Sequence, residues 1–417
     1  MTIEGSQVTL AAKGVMAGLL ISSSHNRIHG LTLTGFNAGV VIQPPGSWKK
    51  NDFAMHQTFA DNAVNGVIMR GIRSAGIGLD PTGGGNCGQR CRASNRWVDT
   101  AITDNTVEAR SAGIFLGLNS TGDRLERMTV TDNRVRIVGP RLGPGISLAT
   151  GGDSTNARMS DMLVARNSVE GSPDLGIVIL AGYFRGQAGV MERVRVLDNR
   201  VHLVKFGGGI GIGAGTDVPE PAKGPPVRYL DNNLVRDVLV RGNEITGTLG
   251  SGLSLLSGIG GGGSRNRMDR VRVERNVIRS STLGNGITVQ EAEGLPFRNR
   301  WAVANRIVGV TIHANRITIA RANRFGFDFG GDDAGIVLKG GGKWGRGNAI
   351  RGVRITENRI AAPHTGIQVI GGGDNGRANS VTCVRLSGNR IMGARKAVSV
   401  KPNARGASGN RASLGGC

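Results

Sequence analysis

The amino-acid sequence predicts an all-β protein, a single-stranded right-handed parallel β-helix of about 10–12 coils that carries an Asn ladder. Two repeated motifs predict this fold. The first reads VRITENRI at residues 353–360, and the second is Gly, Ile, any residue and an aliphatic residue, as in GIVL from Gly335. The two motifs alternate along the chain, so each coil is predicted to contain three short strands.

The first motif predicts two strands that meet at a bend. In VRITENRI, Val353 and Ile355 alternate with polar residues, which is the period of a strand with one buried face. The Asn that follows is predicted to occupy the bend, because Asn accepts the left-handed backbone region, and to stack on the Asn of the next coil. QTFADNAV suggests a weaker tenth copy at Asn62. The nine clear copies contain Asn105, Asn133, Asn167, Asn199, Asn243, Asn276, Asn315, Asn358 and Asn389.

The second motif predicts the third strand of each coil. The third residue of each copy points outward and is usually small. These residues are therefore predicted to form a shallow floor bordered by loops, on which an extended polymer can lie. The outward positions are Gly78, Phe115, Ser147, Val178, Gly211, Ser254, Thr288, Val337 and Gln368.

Residues 1–417 are predicted to form one β-helix domain with a long loop at 43–61, because no linker or non-repeating block interrupts the pattern. Near the N-terminus, GLLI from Gly18 already reads as a strand within a solenoid. We therefore expect the chain to be a fragment or a processed form that lacks an N-terminal cap. No signal peptide is recognisable in the sequence.

The net charge of +22 comes from 52 Lys and Arg against 30 Asp and Glu, and it narrows the choice of partner. Much of the excess is periodic, with Arg at outward positions such as Arg354 and Arg359. The resulting stripes either form a solvated surface or attract an acidic polymer. Nucleic acid is not expected, because no binding motif is present and aromatic residues are not interleaved with the basic ones. No apolar run is long enough to span a membrane, and the sequence does not indicate an oligomeric state.

The cysteines suggest two disulfide bridges. Cys87 and Cys91 share the loop CGQRC, and Cys383 can bridge to Cys417 at the C-terminal end. Bridges would place the protein in an extracellular or periplasmic compartment, whereas four free thiols are the alternative. The CxxxC pair has no companion pair at metal-binding spacing, so no metal site is predicted.

Residues that can carry chemistry are densest between positions 286 and 396. Adjacent coils lie about 4.8 Å apart, so side chains far apart in sequence can meet on one face. Two carboxylates there can act as general acid and general base on a glycosidic bond. The alternative is that the Asp pair in GGDDAG only shapes a turn. The candidate catalytic residues are Asp332, Asp333, Asp328, Glu291, His364 and Lys339, and the candidate substrate-binding residues are Gln290, Trp344, Gln368, Arg395 and Lys396.

The repeat resembles that of the pectate-lyase-like superfamily of parallel β-helix proteins over nearly the whole chain. Within it, GDDAGIVLKGG is similar to the Asp-Asp strand motif of family 28 polygalacturonase-type hydrolases, and HTGIQVIGG is similar to their Gly-His-Gly motif. By this resemblance, Asp332 and Asp333 would be the acid and the base, and His364 would tune the site. Arg395 and Lys396 would hold a uronate carboxylate.

The chain departs from that hydrolase family in more than one element. His364 lacks the Gly that precedes the His in the family's motif, since Pro363 stands there. Residues 284–286 read Gly-Asn-Gly where the family has Asn-Thr-Asp, so the third carboxylate would come from Glu291 or Asp328.

The sequence therefore predicts a secreted protein that cleaves an acidic, uronate-containing polysaccharide, with hydrolysis favoured over elimination. A hydrolase of this kind needs no cofactor. In the lyase alternative, Ca²⁺ would neutralise the substrate carboxylate and Lys339 would remove the α-proton. A further alternative, from a different class, is a non-catalytic surface protein that binds glycan or is purely structural.

Overall fold

The computed structural model describes residues 2–4, 9–11, 17–45, 55–79, 94–139, 143–151, 154–171, 174–183, 186–203, 207–216, 230–259, 263–280, 284–293, 301–320, 334–342, 344–373, 375–403 and 408–415. In these ranges each strand pairs in parallel with the strands one coil earlier and one coil later. The protein is a right-handed parallel β-helix. Among the described residues, no helix is long and apolar enough to cross a membrane.

Three stacked sheets form the walls of the rod, numbered here in the order in which a coil passes through them. Sheet I holds the strands before the ladder Asn, sheet II the strands after it, and sheet III the Gly-Ile strands. The 17 strands of sheet I are Thr2–Glu4, Arg27–His29, Thr58–Ala60, Ala63–Asn65, Arg96–Val98, Ala101–Thr103, Arg124–Glu126, Thr129–Thr131, Arg158–Ala165, Val190–Leu197, Leu234–Arg241, Arg267–Glu274, Arg306–Val308, Thr311–His313, Ala349–Thr356, Ser380–Ser387 and Arg411–Leu414. The 12 strands of sheet II are Thr9–Ala11, Thr32–Thr34, Ile68–Ile72, Thr106–Ala109, Arg134–Ile137, Ser168–Gly171, Arg200–Leu203, Glu244–Thr246, Val277–Ser280, Arg316–Ile319, Arg359–Ala361 and Arg390–Met392. The 12 strands of sheet III are Ala17–Ile21, Ala38–Ile42, Ala75–Leu79, Ala112–Leu118, Ile146–Gly151, Leu175–Tyr183, Gly208–Thr216, Leu253–Ile259, Ile287–Glu293, Ala334–Lys339, Thr365–Gly372 and Lys396–Asn403. A small fourth sheet pairs Ala302–Val303 with Gly345–Arg346.

The interior of the rod is a narrow aliphatic core, and it explains the Gly of the second motif. A Cβ on Gly335 would lie 2.2 Å from a methyl group of Ile360, and a Cβ on Gly176 would lie 2.4 Å from a methyl group of Val201. Both partners are buried β-branched residues of sheet II. The Gly is therefore required because sheet II and sheet III approach closely at this corner, and a side chain has no room there.

The first-motif Asn residues form a buried amide ladder, as predicted. From Asn105 to Asn358, each Asn donates its backbone N–H and its Nδ2 to the Oδ1 of the Asn in the next coil, at 2.9–3.0 Å, and Asn389 is the last acceptor. The predicted backbone role of the Asn is wrong, however. The left-handed residue is the one before it, for example Asp104 with φ 54° and Arg166 with φ 52°. The turn is made one residue earlier because the Asn side chain must point inward to reach its neighbours.

A second amide ladder, which the sequence analysis missed, runs along the other end of sheet I. From Asn233 to Asn379 its hydrogen bonds match those of the first ladder at 2.9–3.0 Å, and the backbone N–H of Asn379 donates to Oδ1 of Asn410 at 2.7 Å. Its signal in the sequence is an Asn ten residues before a first-ladder Asn. The members of this ladder are Asn233, Asn266, Asn305, Asn348, Asn379 and Asn410.

Asn62 does not belong to the first ladder, so the predicted tenth copy is wrong. Asn62 accepts hydrogen bonds from the backbone N–H and Nδ2 of Asn26, at 3.0 and 2.9 Å, in the middle of sheet I. Val67 occupies the ladder position of that coil, and its backbone N–H donates to Oδ1 of Asn105. The prediction failed because corners recur every five residues here. A motif that is displaced by one corner therefore keeps the same alternation of apolar residues.

The turns within and after sheet I carry ion pairs between neighbouring coils. Arg and Asp at left-handed positions pair through two hydrogen bonds each, with shortest N–O distances of 2.6–2.7 Å. Each Arg lowers the pKa of its Asp partner by hydrogen bonding. The side chains are half exposed, so the pairs neutralise the surface more than they stabilise the fold. The pairs are Asp99–Arg127, Asp132–Arg166, Asp161–Arg193 and Asp237–Arg270.

Glu192 is a buried carboxylate on sheet I that three guanidinium groups surround. Its side chain is 0% exposed and contacts Arg158, Arg193 and Arg236. Burial alone raises the pKa of Glu192, but hydrogen bonds from the three Arg outweigh burial and lower the pKa from 4.5 to about 2. The network fixes three consecutive coils to one another.

The structure also bears on the predicted long loop and on the predicted disulfide bridges. The predicted loop 43–61 ends earlier than expected, because Thr58–Ala60 forms a strand of sheet I with Phe59 buried. Cys383 is disulfide-bonded, which agrees with a bridge near the C-terminal end. Cys87, Cys91 and Cys417 lie outside the described residues.

We predict that Asn243→Ala destabilises the rod by about 2–3 kcal/mol. The substitution leaves the buried N–H groups of Asn199 without an acceptor, and an unmade buried hydrogen bond is costly. The measurement is the urea midpoint followed by circular dichroism, with the exposed Arg241→Ala as the matched control. Equal midpoint shifts in the two variants would show that the ladder carries no special stability.

We also predict a pH-dependent contribution from Glu192. Because its pKa is lowered on folding, its stabilisation, on the order of 3 kcal/mol, is present above pH about 4.5 and is lost as pH falls through about 2. The difference in urea midpoint between the wild type and Glu192→Gln should therefore narrow from pH 6 towards pH 2. Glu108→Gln, which removes an exposed pair with Arg136, is the control and should differ little from the wild type at any pH. A pH-independent difference for Glu192→Gln would contradict the assignment.

Candidate functional site

The register of sheet III places the described candidate residues at two different edges of that sheet. Lys339 ends the strand Ala334–Lys339, where it pairs with Gln290 of the preceding coil. His364 precedes the next strand, whose first residue, Thr365, pairs with Ala334. Five residues of extended chain separate these two levels, which is about 16 Å. Lys339 and His364 therefore do not meet, and one compact catalytic cluster cannot contain both side chains in this structure.

The edge that holds His364 also holds the basic pair of the next coil. Lys396 pairs with Thr365, and its backbone N–H donates to the carbonyl of His364 at 3.0 Å. Arg395 and Lys396 are exposed. This edge brings together the His and the basic pair that the hydrolase resemblance associates with one another.

The candidate carboxylates remain predictions. Asp328, Asp332 and Asp333 lie outside the described residues. The backbone of Glu291 lies in the strand Ile287–Glu293, in register with the buried Ser257.

The outward face of sheet III is not an open floor over most of the described coils, so that expectation is wrong. Gln368, a predicted substrate contact, is only 1% exposed. Val178 packs with Ala149 and Leu180 in a small apolar cluster outside the main core. Most of the outward face of sheet III is therefore inaccessible to solvent, and the surfaces that a ligand can reach lie at the edges of this sheet. The buried outward positions are Ser147, Val178, Thr288, Val337 and Gln368.

An aromatic pair stands at the edge that holds Lys339. The rings of Trp301 and Trp344 meet edge to face, with centroids 5.4 Å apart and an interplanar angle of 73°. The guanidinium of Arg377, one coil later, lies 5.5 Å from the ring centroid of Trp301. The small fourth sheet holds this arrangement, and Trp344 itself adopts a left-handed conformation with φ 60°. Both rings are half-buried, so each combines a fixed position with an accessible surface.

Sequence reasoning selected Trp344 but missed Trp301 and Arg377. A signal was present, because each Trp precedes a second-ladder Asn, Asn305 or Asn348, by four residues. Recognition of the second ladder would have placed both Trp at the same corner of adjacent coils.

Lys339 and the aromatic pair share one edge. The aliphatic stem of Lys339 lies against the chain of the next coil, where a Cβ on Gly373 would be 2.9 Å from its Cε. Gln290 is half-buried beside it. This edge thus offers aromatic surface, cationic groups and an amide. Such a set can contact the apolar face, the charge and the hydroxyl groups of one ligand.

Metal binding has no support in the described part of the chain. Within it, no three His, Cys, Asp or Glu side chains are grouped closely enough to hold an ion.

Comparison with known proteins supports no assignment to a family. No protein-family model matches the sequence, and no curated protein matches it. Among solved structures, the A-module of a mannuronan C-5 epimerase from Azotobacter vinelandii aligns at 13% identity, covering 98% of this chain and 88% of that one, with a TM-score of 0.39. A double mutant of the tailspike of E. coli bacteriophage HK620, in complex with a pentasaccharide, aligns at 10% identity. That alignment covers 99% of this chain and 74% of that one, with a TM-score of 0.44.

Proposed function

We propose that the protein binds an acidic polysaccharide at the edge of sheet III and cleaves it, by hydrolysis rather than elimination. The observation that carries the proposal is the juxtaposition of Trp301, Trp344 and Arg377 on the edge that also holds Lys339. Aromatic rings can stack on the apolar face of a sugar, and the cations can pair with its carboxylate.

The charge distribution supports an acidic ligand. Residues 344–417 contain 12 Lys and Arg but only two Asp and Glu. The ion pairs that neutralise the turns lie in earlier coils, from Asp99 to Arg270. The excess of positive charge is thus concentrated where the aromatic pair lies, and a field of one sign attracts anions.

Cleavage rests on the motif resemblance. Asp332 and Asp333 precede the strand Ala334–Lys339, as an acid and base pair of the hydrolase type would. Ala334 pairs with Thr365, so this strand begins at the same edge as His364. In this proposal the His364 edge carries the chemistry, and the Lys339 edge binds a neighbouring part of the polymer. Elimination with Lys339 as the base is less well supported, because Lys339 lies at the opposite edge of sheet III from His364.

A binding protein without catalytic activity is the second candidate. It is favoured by one observation, which is that the contacts among Trp301, Trp344 and Arg377 can bind a polymer without any catalytic group.

We predict cleavage of at least one uronate polymer in a panel that also contains neutral glucans. Hydrolysis releases reducing ends alone, whereas elimination also produces the ultraviolet absorbance of an unsaturated uronate. Asp332→Asn and Asp333→Asn should each lower turnover at least about 100-fold, because each removes a proton-transfer group. The control is Glu357→Gln, which changes an exposed acidic residue in the turn between sheet I and sheet II.

Binding is measured in parallel with the inactive variants. Trp344→Ala should weaken polymer binding about tenfold, since it removes one ring of the pair. Retained binding without any product would favour the non-catalytic candidate, and full activity in both Asp variants would refute the site assignment. Absence of both binding and cleavage across the panel would refute the proposed function.

A further inference from the structure

A column of arginines runs along the outside of sheet II, away from both edges described above. Arg316, Arg359 and Arg390 pair with one another in register in three consecutive coils. All three side chains are exposed. In the described part of the chain, no carboxylate lies within 4.0 Å of any of them.

The same sheet in earlier coils is built differently, which provides an internal comparison. Glu244 lies in register with Arg200 and forms ion pairs with Arg200 and with Arg279 of the next coil, at 3.4 and 2.8 Å. Arg136 likewise pairs with Glu108 of the preceding coil, at 3.8 Å. Like charges placed directly opposite each other in neighbouring strands destabilise a sheet. The C-terminal coils contain two such Arg–Arg pairs in succession, whereas earlier coils of the same sheet place Glu beside Arg.

The column borders a shallow depression that a ligand can enter. Its volume is about 300 Å³, and its floor consists of Thr318, Ala361 and Met392, which also pair in register. Met392 is 44% exposed. The floor is flat and carries no aromatic side chain, so it lacks the stacking platform that single-stranded nucleic acid uses. A row of cations spaced by one strand, about 4.8 Å, beside a flat and partly apolar floor fits a linear polymer with regularly repeated anionic groups.

We propose that this column, Arg316, Arg359 and Arg390, is a second polyanion-binding site that takes an acidic glycan chain lying along the rod axis. The site is separate from the edges of sheet III, and its occupation does not require cleavage there. A polymer bound at this column would stay attached to the protein while another part of the same polymer contacts the edge of sheet III.

The test compares two triple variants with the same change in charge on the same sheet. The first is Arg316→Gln, Arg359→Gln and Arg390→Gln, and the second is Arg136→Gln, Arg200→Gln and Arg279→Gln, which alters arginines that already have Glu partners. Binding of the full chain to polygalacturonate is measured by isothermal titration calorimetry at several salt concentrations. Single-stranded oligothymidylate and neutral dextran serve as comparison ligands, and circular dichroism confirms folding.

The first triple variant should bind polygalacturonate at least about tenfold more weakly and with a shallower salt dependence, because three exposed cation contacts are lost. The second should change affinity less than about threefold. Equal losses in both variants would show that only net charge matters and would overturn the proposal. Tighter binding of oligothymidylate than of polygalacturonate would overturn the assignment to a glycan.

A single charge reversal tests whether the column binds a ligand or only stabilises the fold. The test does not depend on the proposed cleavage. Arg359→Glu restores the alternation of charge, so it should raise Tm while it abolishes binding at the column. A fall in Tm would show that the column serves the fold and would contradict the proposal. Binding at the column is measured whether or not any polymer is cleaved, so failure of the proposed enzymatic function leaves this result interpretable.

Discussion

The structure depends on one repeated interaction, the buried hydrogen bond from an Asn amide to the Asn of the next coil. Corner backbone groups of a β-helix turn away from the strand ladders, and without partners they would be buried at a high cost. The two ladders provide these partners at both ends of sheet I, at 2.7–3.0 Å. Because the corners are fixed in this way, every coil repeats the same register. A residue of sheet III therefore has a known neighbour one coil away even when the two are distant in sequence, as Gln290 and Lys339 are. This register determines which side chains of neighbouring coils lie side by side on the surface.

The sequence predicted the fold because its period is strong, but it predicted the turns less well. VRITENRI identified the strands and the first ladder, since alternation of apolar residues is a direct consequence of one buried face. It did not reveal that Asp104 rather than Asn105 adopts the left-handed conformation, because both residue types are common in turns. The second ladder was missed since its Asn residues precede less regular segments. The candidate site was predicted least well. Lys339 and His364 are close in sequence, and only the register shows that they lie at opposite edges of sheet III.

Charge is organised differently along the rod, and this difference links structure to the proposed function. In several earlier coils, Arg residues stand beside Asp or Glu of a neighbouring coil, as in Asp99–Arg127 and the network around Glu192. In the last coils of sheet II, Arg316, Arg359 and Arg390 face solvent beside one another. A purely solvated surface does not require this asymmetry. An acidic polymer that spans the C-terminal coils accounts for it, with the aromatic pair providing a contact that charge alone does not.

The most direct test of this account is to locate a bound uronate oligomer by zero-length coupling. A carbodiimide joins the carboxylates of the oligomer to lysine amines that they contact, and mass spectrometry of the peptides identifies the lysines. If an acidic polymer spans the C-terminal coils, adducts should form at Lys339, Lys396 and Lys401, which border the proposed binding surfaces of these coils. Adducts distributed equally over lysines in the earlier part of the sequence, such as Lys13, Lys205 and Lys223, would contradict binding at the C-terminal coils.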